Sequence, residues 1–409
     1  MTKMSDPRRR LSVLLLDRIG YSFYQDRGGR SFLPEDRYSV RLVTSLDKVG
    51  EATGEELESV VAVDVYDNRA LADAVHHQAG FKGIRADRLV AITERLLLRA
   101  AELRGELGLP GQTVEQALLF RDKVHMKEHL RAHGIRVPEF APFSEAAARE
   151  LLSRTTAVVA KPRLGSGARD IFVLREPADV AAFAAGQTDR LGEFEVEEFV
   201  DGELFHVDSV VQDSKVLAAV AARYIDKTTS YTELRPCRDV AVGPGPQLDA
   251  LLEFNQRVLA AHPDFTGVTH HELFVRDGEI VFCEIGARAG GGGVIAGFLS
   301  RTGVNLDEAV IRAQVEGTVP VPRPPADHLT GFTVIYADAG VLQRPLTPPD
   351  EPWVLECQVL ARPGDRLSRP ENCNDAVAIV SVRGGSEDEV IRRLDRVGEH
   401  MVPVVSPGS

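Results

Sequence analysis

Along the first hundred residues, short apolar runs alternate with polar stretches. Residues 12–16, 40–43 and 60–64 are each sized for a strand, and helix-like spacing follows from Asn68 and over Thr93 to Leu107. That alternation predicts a small α/β domain built on a parallel sheet. Leu109-Pro110-Gly111 interrupts it, and Gln112 to His133 reads as two short helices closed by Gly134 and Pro138. A first boundary therefore falls near residue 118.

From Thr156 the texture changes to strands joined by tight turns: Val158 to Lys161, Ile171 to Leu174, Phe194 to Glu198, Leu204 to Gln212 and Lys215 to Tyr224. This section reads as α+β and mainly antiparallel. The proline-rich stretch Val319 to Pro325 looks like a linker. Beyond it, Gly331 to Tyr336, Val354 to Leu360, Ala376 to Val382 and a helix over Glu387 to Val397 suggest a small α+β domain. The expected units are 1–118, a Rossmann-like parallel-sheet domain, then 119–322 and 323–409.

Composition narrows the class. A chain of 409 residues with 44% hydrophobic, 27% charged and 6% aromatic residues is an ordinary globular protein of several domains. Its net charge of -13 argues against nucleic-acid binding, which relies on clustered Lys and Arg. The four cysteines form no CxxC pair, so neither a zinc site nor a disulfide framework is indicated and a reducing, cytoplasmic setting is expected. Arg8 to Arg10 followed by Leu11 to Leu16 has the outline of a signal peptide, but the apolar run stops at Asp17 and reads better as a first strand. No apolar stretch nears the roughly 18 residues of a membrane span.

The sharpest local feature is Gly267-Val-Thr-His-His-Glu-Leu-Phe-Val-Arg-Asp-Gly-Glu-Ile-Val-Phe-Cys-Glu-Ile-Gly-Ala-Arg288, which reads as a hairpin carrying Glu272 and Glu284. With Asp277-Gly278 as a two-residue turn, the two glutamates fall on opposite faces. With a three-residue loop, Arg276-Asp277-Gly278, Glu272 lies opposite Phe282, the glutamates become diagonal neighbours about 7 to 8 Å apart, and His270 faces Glu284. The second register is the one a metal site needs. Hard oxygen ligands at that spacing suit Mg²⁺ shared with phosphate, although charged strand residues also occur simply as a solvated face. The second histidine of a zinc-protease HExxH is missing after His271-Glu272.

Three further segments offer anion chemistry. Arg288 and the run Gly290, Gly291, Gly292 and Gly293 can present a guanidinium and unobstructed amides to phosphate or carboxylate, or be a flexible loop. Lys161 closes a strand before the turn Gly165-Ser166-Gly167, which could cover a phosphate tail or be an ordinary hairpin. Glu197-Glu198-Phe199-Val200 ends a strand where backbone groups could meet an adenine edge, with Glu203 after it. Neither GxxxxGK[ST] nor GxGxxG occurs in the chain.

In their joint order these pieces resemble the ATP-grasp superfamily, in its carboxylate-amine ligase branch, which includes L-amino-acid ligases and is related to biotin carboxylase. Arg121-Asp122-Lys123-Val-His-Met-Lys127 with Gly134-Ile135 and Val137-Pro138 is similar to the family's entry helix. The resemblance implies an ATP-grasp fold, with Lys123 and Lys161 as nucleotide lysines and Gly165, Ser166 and Gly167 as the phosphate-covering loop. It further implies Glu197, Glu198, Phe199 and Val200 as the adenine hinge, Glu203 toward the ribose, and Glu272 with Glu284 as metal ligands. Arg288 then falls near the transferred phosphoryl group, with His270 and Gly290 to Gly292 toward substrate. Gly286 stands where family members often carry asparagine, which leaves open whether one or two ions, Mg²⁺ or Mn²⁺, bind.

The implied activity is ATP-dependent amide or peptide formation through an acyl phosphate, releasing ADP and phosphate, with a small carboxylate and an amine as substrates. Alternatives are another acceptor, such as a carrier-protein thiol or a carboxylase-type reaction, or a non-catalytic ATP-binding regulator. The segment Tyr224 to Tyr231 and the 162–168 turn are candidate lids. His270, His206 and Asp208 are candidates for a general base, and related ligases are often homodimers.

Overall fold

The computed structural model describes residues 9–54 and 56–406; Arg8 of the basic start lies outside them. The first apolar runs form strands β1 (Leu11–Leu16), β2 (Tyr38–Ser45) and β3 (Leu57–Val63), followed by helix α1 (Asn68–Ala79), β4 (Arg88–Ala91) and α2 (Glu94–Leu107). All pairings are parallel, in the order β3-β2-β1-β4. The unbroken apolar run in β1 follows from burial on both faces. Leu14 and Leu16 pack with Leu71, Leu96 and Leu103 of the two helices. Val13 and Leu15 face a different core, shared with Leu306, Val310 and Ile311.

Helices α3 (Val114–Leu118) and α4 (Lys123–Ala132) follow, the latter capped by the Asp122 carboxylate. Next come β5 (Phe140–Pro142), α5 (Glu145–Leu152), β6 (Val158–Pro162), β7 (Phe172–Leu174), α6 (Pro177–Gly186) and β8 (Phe194–Glu198). These four strands form an antiparallel sheet, β5-β8-β6-β7, with α5 and α6 packed on it.

The remaining strands are β9 (Glu203–Gln212), β10 (Lys215–Tyr224), β11 (Cys237–Ala241), β12 (Gly267–Arg276), β13 (Glu279–Gly286), β14 (Leu329–Ile335), β15 (Gly340–Leu342), β16 (Val354–Val359), β17 (Arg366–Leu367), β18 (Ala378–Gly384) and β19 (Val405–Ser406). Helix α7 (Pro246–Ala260) precedes β12, α8 (Val294–Thr302) and α9 (Leu306–Glu316) follow β13, and α10 (Glu387–His400) follows β18. One eight-stranded sheet runs β13-β12-β9-β10-β11-β14-β18-β16. Sheet pairing thus crosses the 319–325 linker: Cys237 pairs with Val334 and Arg238 with Thr333, so three strands after residue 323 extend the same sheet as the strands before it. Among the described residues, no helix is long and apolar enough to cross a membrane.

Candidate active site

The hairpin of β12 and β13 turns on two residues, Asp277 and Gly278, both with positive φ, and Arg276 pairs with Glu279. This corrects the expected three-residue loop: two left-handed residues make the tight hairpin turn that matches strand twist. The carboxylates nevertheless share a face, because the register shifts between Glu272 and Leu273. Leu273 pairs with Phe282 and Glu272 with Glu284, so Cys283 is the extra residue of a bulge. Glu272 and Glu284 are therefore directly opposite, closer than the expected diagonal, and His270 pairs with Gly286 rather than Glu284.

Around this pair each expected cation already has an anionic partner. Lys123 Nζ, at the start of α4, lies 2.9 Å from Glu284 Oε2 and donates at 2.9 Å to the Gly165 carbonyl. Burial pushes the Glu284 carboxyl up, but Lys123, Lys161 and Arg288 outweigh it and hold it at about 2. Lys161 Nζ lies 2.6 Å from Glu197 Oε1; despite burial, that carboxylate holds its ammonium well above the usual lysine range. Arg288 pairs through Nε with Glu94, the first residue of α2, whose other oxygen accepts from Arg121. Glu272 accepts from the Tyr224 hydroxyl at 3.1 Å.

The turn Gly165-Ser166-Gly167 docks on the far end of the chain. Cys373 N–H donates to the Gly167 carbonyl at 3.2 Å, Tyr231 Oη donates to the Ala168 carbonyl at 3.1 Å, and Arg169 meets Glu371 at 3.3 Å. At the strand end expected as an adenine hinge, the Glu197 side chain is taken up by Lys161 and Lys127, and its backbone is flanked by β5 and β6. Glu198 points the other way, to Arg136 and Arg276; Phe199 lies under the Arg175 guanidinium, and Val200 is buried. Glu203 is exposed, 3.7 Å from Arg223.

Behind Glu272 runs a buried polar string. Asp208 Oδ1 lies 2.8 Å from His270 Nδ1 and its Oδ2 2.7 Å from His206 Nδ1, while His206 Nε2 lies 3.0 Å from Asp239 Oδ2. Asp239 also accepts from the Phe332 N–H of β14 at 2.7 Å. Burial opposes charge on His206, but Asp208 and Asp239 outweigh it and lift its pKa to about 10. His270 is raised for the same reason, against its own burial, and its two histidine partners hold Asp208 far below the carboxylate range. Histidines that keep their protons and a carboxylate clamped between them are poorly suited to accept one, which counts against all three as general base. A cavity of about 20 Å³ borders His206, Asp208, Asp239 and Phe332.

The glycine run is packed rather than loose. A Cβ at Gly290 would lie 2.7 Å from His270 Nδ1, and one at Gly292, where φ is +63°, 2.6 Å from the Phe332 ring. The run leads into α8, so its amides sit at a helix N-terminus.

This arrangement has counterparts. Residues 120–292 match the ATP-grasp domain family. The chain is 25% identical over 324 residues to the L-arginine-specific L-amino acid ligase of Bacillus subtilis, covering 74% of this chain and 76% of that one. Residues 120–292 are an ATP-grasp domain. The fold of the chain superimposes on the L-amino acid ligase of Bacillus licheniformis with a TM-score of 0.74 at 17% identity, covering 97% of this chain and 100% of that one. The biotin carboxylase domain of Hydrogenobacter thermophilus 2-oxoglutarate carboxylase, solved as a dimer with MgADP, ADP and bicarbonate, gives 0.72 at 13% identity over 96% and 90% of the two chains.

Two residues beside this site, Lys127 and Glu94, escape sequence reading. Lys127 is wholly buried between Glu195, at 2.6 Å, and Glu197. The alternation in Phe194-Glu-Val-Glu-Glu198 puts both glutamates on one face and could have called for a cation there. Glu94 carries no such signal, because its partners Arg121 and Arg288 are remote in sequence.

Proposed function

We propose that this ligase activates a small carboxylate, from an amino acid or specialised metabolite, as an acyl phosphate and passes the acyl group to an amine, releasing ADP and phosphate. The observation that carries this reading is the set of paired cations around Glu272 and Glu284. Lys123, Lys161 and Arg288 surround the carboxylate pair and can offset repulsion between a carboxylate nucleophile and the γ-phosphate. Glu272 and Glu284 supply opposed hard oxygens, the Glu284 carboxyl ionised at neutral pH, a donor set that fits Mg²⁺ or Mn²⁺. When bound, the ion would neutralise phosphate charge there. Gly286 offers no side chain toward a second ion, which favours one.

The chain's own residues do the rest. Lys161 can turn to phosphate without orphaning Glu197, because Lys127 remains on that carboxylate. Gly165, Ser166 and Gly167 cover the phosphates and exclude water from the acyl phosphate. The backbone of Glu197 to Val200 borders adenine, Glu203 reaches the ribose, and His270 with Gly290, Gly291 and Gly292 backs the substrate end.

The test is an acid-by-amine matrix scored by product mass and nucleotide analysis. Equal amounts of ADP, phosphate and amide are expected from at least one pair. Release of AMP and pyrophosphate overturns the reading, as does a thioester or carboxylated product in place of amide.

A further inference from the structure

Arg288 is fixed from outside its own domain. Its Nε donates to Glu94 at the head of α2, and its Nη1 donates to the Ala289 carbonyl at 2.7 Å. Among the described residues, Nη2 has no protein partner, and it is the edge left for a ligand. The second oxygen of Glu94 is held by Arg121, itself only 5% exposed, whose Nη2 donates to the Leu164 carbonyl of the glycine turn. One carboxylate from the parallel-sheet region thus ties together Arg288, the entry to α4 and the base of the 162–168 turn.

Gly286 makes room for this. A Cβ there would already lie 3.5 Å from Arg288 Cγ, 3.7 Å from its Nε and 3.8 Å from Glu94 Oε2. Any side chain longer than alanine at 286 would have the Glu94–Arg288 pair among its nearest neighbours. The missing side chain at Gly286 and the carboxylate arriving from α2 are therefore one arrangement.

We propose that Glu94 is a positioning residue for Arg288, fixing the guanidinium plane so that Nη2 meets the transferred phosphoryl group. The proposal rests on the ligase reading for the identity of that group. Arg121 keeps Glu94 anchored, so the carboxylate does not follow Arg288 toward the ligand.

Glu94→Asp in the full chain tests this, because it keeps the charge that stabilises both arginines while withdrawing it by one methylene. Binding is measured with Mg·ADP and with a non-hydrolysable Mg·ATP analogue, alongside melting temperature and, where an amide-forming pair is found, kcat and KM. Glu94→Asp is expected to bind Mg·ADP within about threefold of wild type but to lose roughly tenfold of the extra affinity for the γ-phosphate, with a matching fall in kcat and little change in KM for ATP. Gly286→Asn is expected to give the same selective loss. Unchanged γ-phosphate preference in Glu94→Asp overturns the proposal, as does an equal loss for both nucleotides, which marks a merely structural role. Selective loss in a protein that forms no amide with any pair would sink the ligase reading and leave the positioning role standing.

Discussion

The two faces of β12 each bury a histidine, and bury it differently. On the face toward the carboxylate pair, His270 lies against Asp208, and its pKa is raised. One residue on, His271 faces α7, with Asn255 Oδ1 at 2.9 Å and the rings of Phe254 and Phe282 beside it; burial without a carboxylate drives its pKa down to about 3. Both side chains are buried, so burial does not decide the charge state; the counter-charge does. One face of the strand is an ionic network ending at the Glu272–Glu284 pair, while the other is hydrophobic core.

The largest effect is expected at the open end of the ionic face. Glu284→Ala should lower amide turnover by about 10²–10³-fold or more while the melting curve stays cooperative; wild-type turnover in that variant would remove Glu284 from the site. Asp208→Asn, deeper on the same face, should cost about 3–5 kcal/mol in urea unfolding, because it leaves two charged histidines without their shared anion. A loss below about 1 kcal/mol would mean that the string is not ionic.

Titration separates the faces by sign. His206 has its pKa raised from 6.5 to about 10, so the stability it contributes is complete below pH 6.5 and is lost as pH rises toward 10. His271 and the buried His262, at about 3 and about 4, contribute stability that is complete above pH 6.5 and fades as pH falls through those values. Urea midpoints across pH should show both limbs, and His206→Gln should flatten only the alkaline one. An unaltered alkaline limb in that variant would assign it elsewhere. The smallest effect is expected for His271→Leu, about 1 kcal/mol, because it loses one hydrogen bond to Asn255 and keeps the apolar packing.

Much of this contrast was legible in the chain. Alternation separates His270 and Glu272 from His271 once the segment is read as a strand, and the strands of 158–224 lie close to where their apolar runs place them. The bulge at Cys283 was not legible: one unpaired residue leaves no mark in composition, and the turn was asked to supply the shift that the bulge makes. Nor could sequence show Glu94 reaching Arg288, since long-range ion pairs have no period. The sheet crossing the linker stayed hidden for a related reason. The run Gly331 to Tyr336 announces a strand, but nothing in it says that the neighbour is β11.

That crossing sets a schedule for the growing chain. Strand β11 lacks its β14 partner, and Asp239 its Phe332 N–H, until the segment after the linker has been synthesised. At about 5–20 residues per second that delay is on the order of ten seconds. Over that interval the ionic string is assembled only on its β9 and β12 side. Until then the β11 edge is open and Asp239 lacks one of its two hydrogen-bond partners.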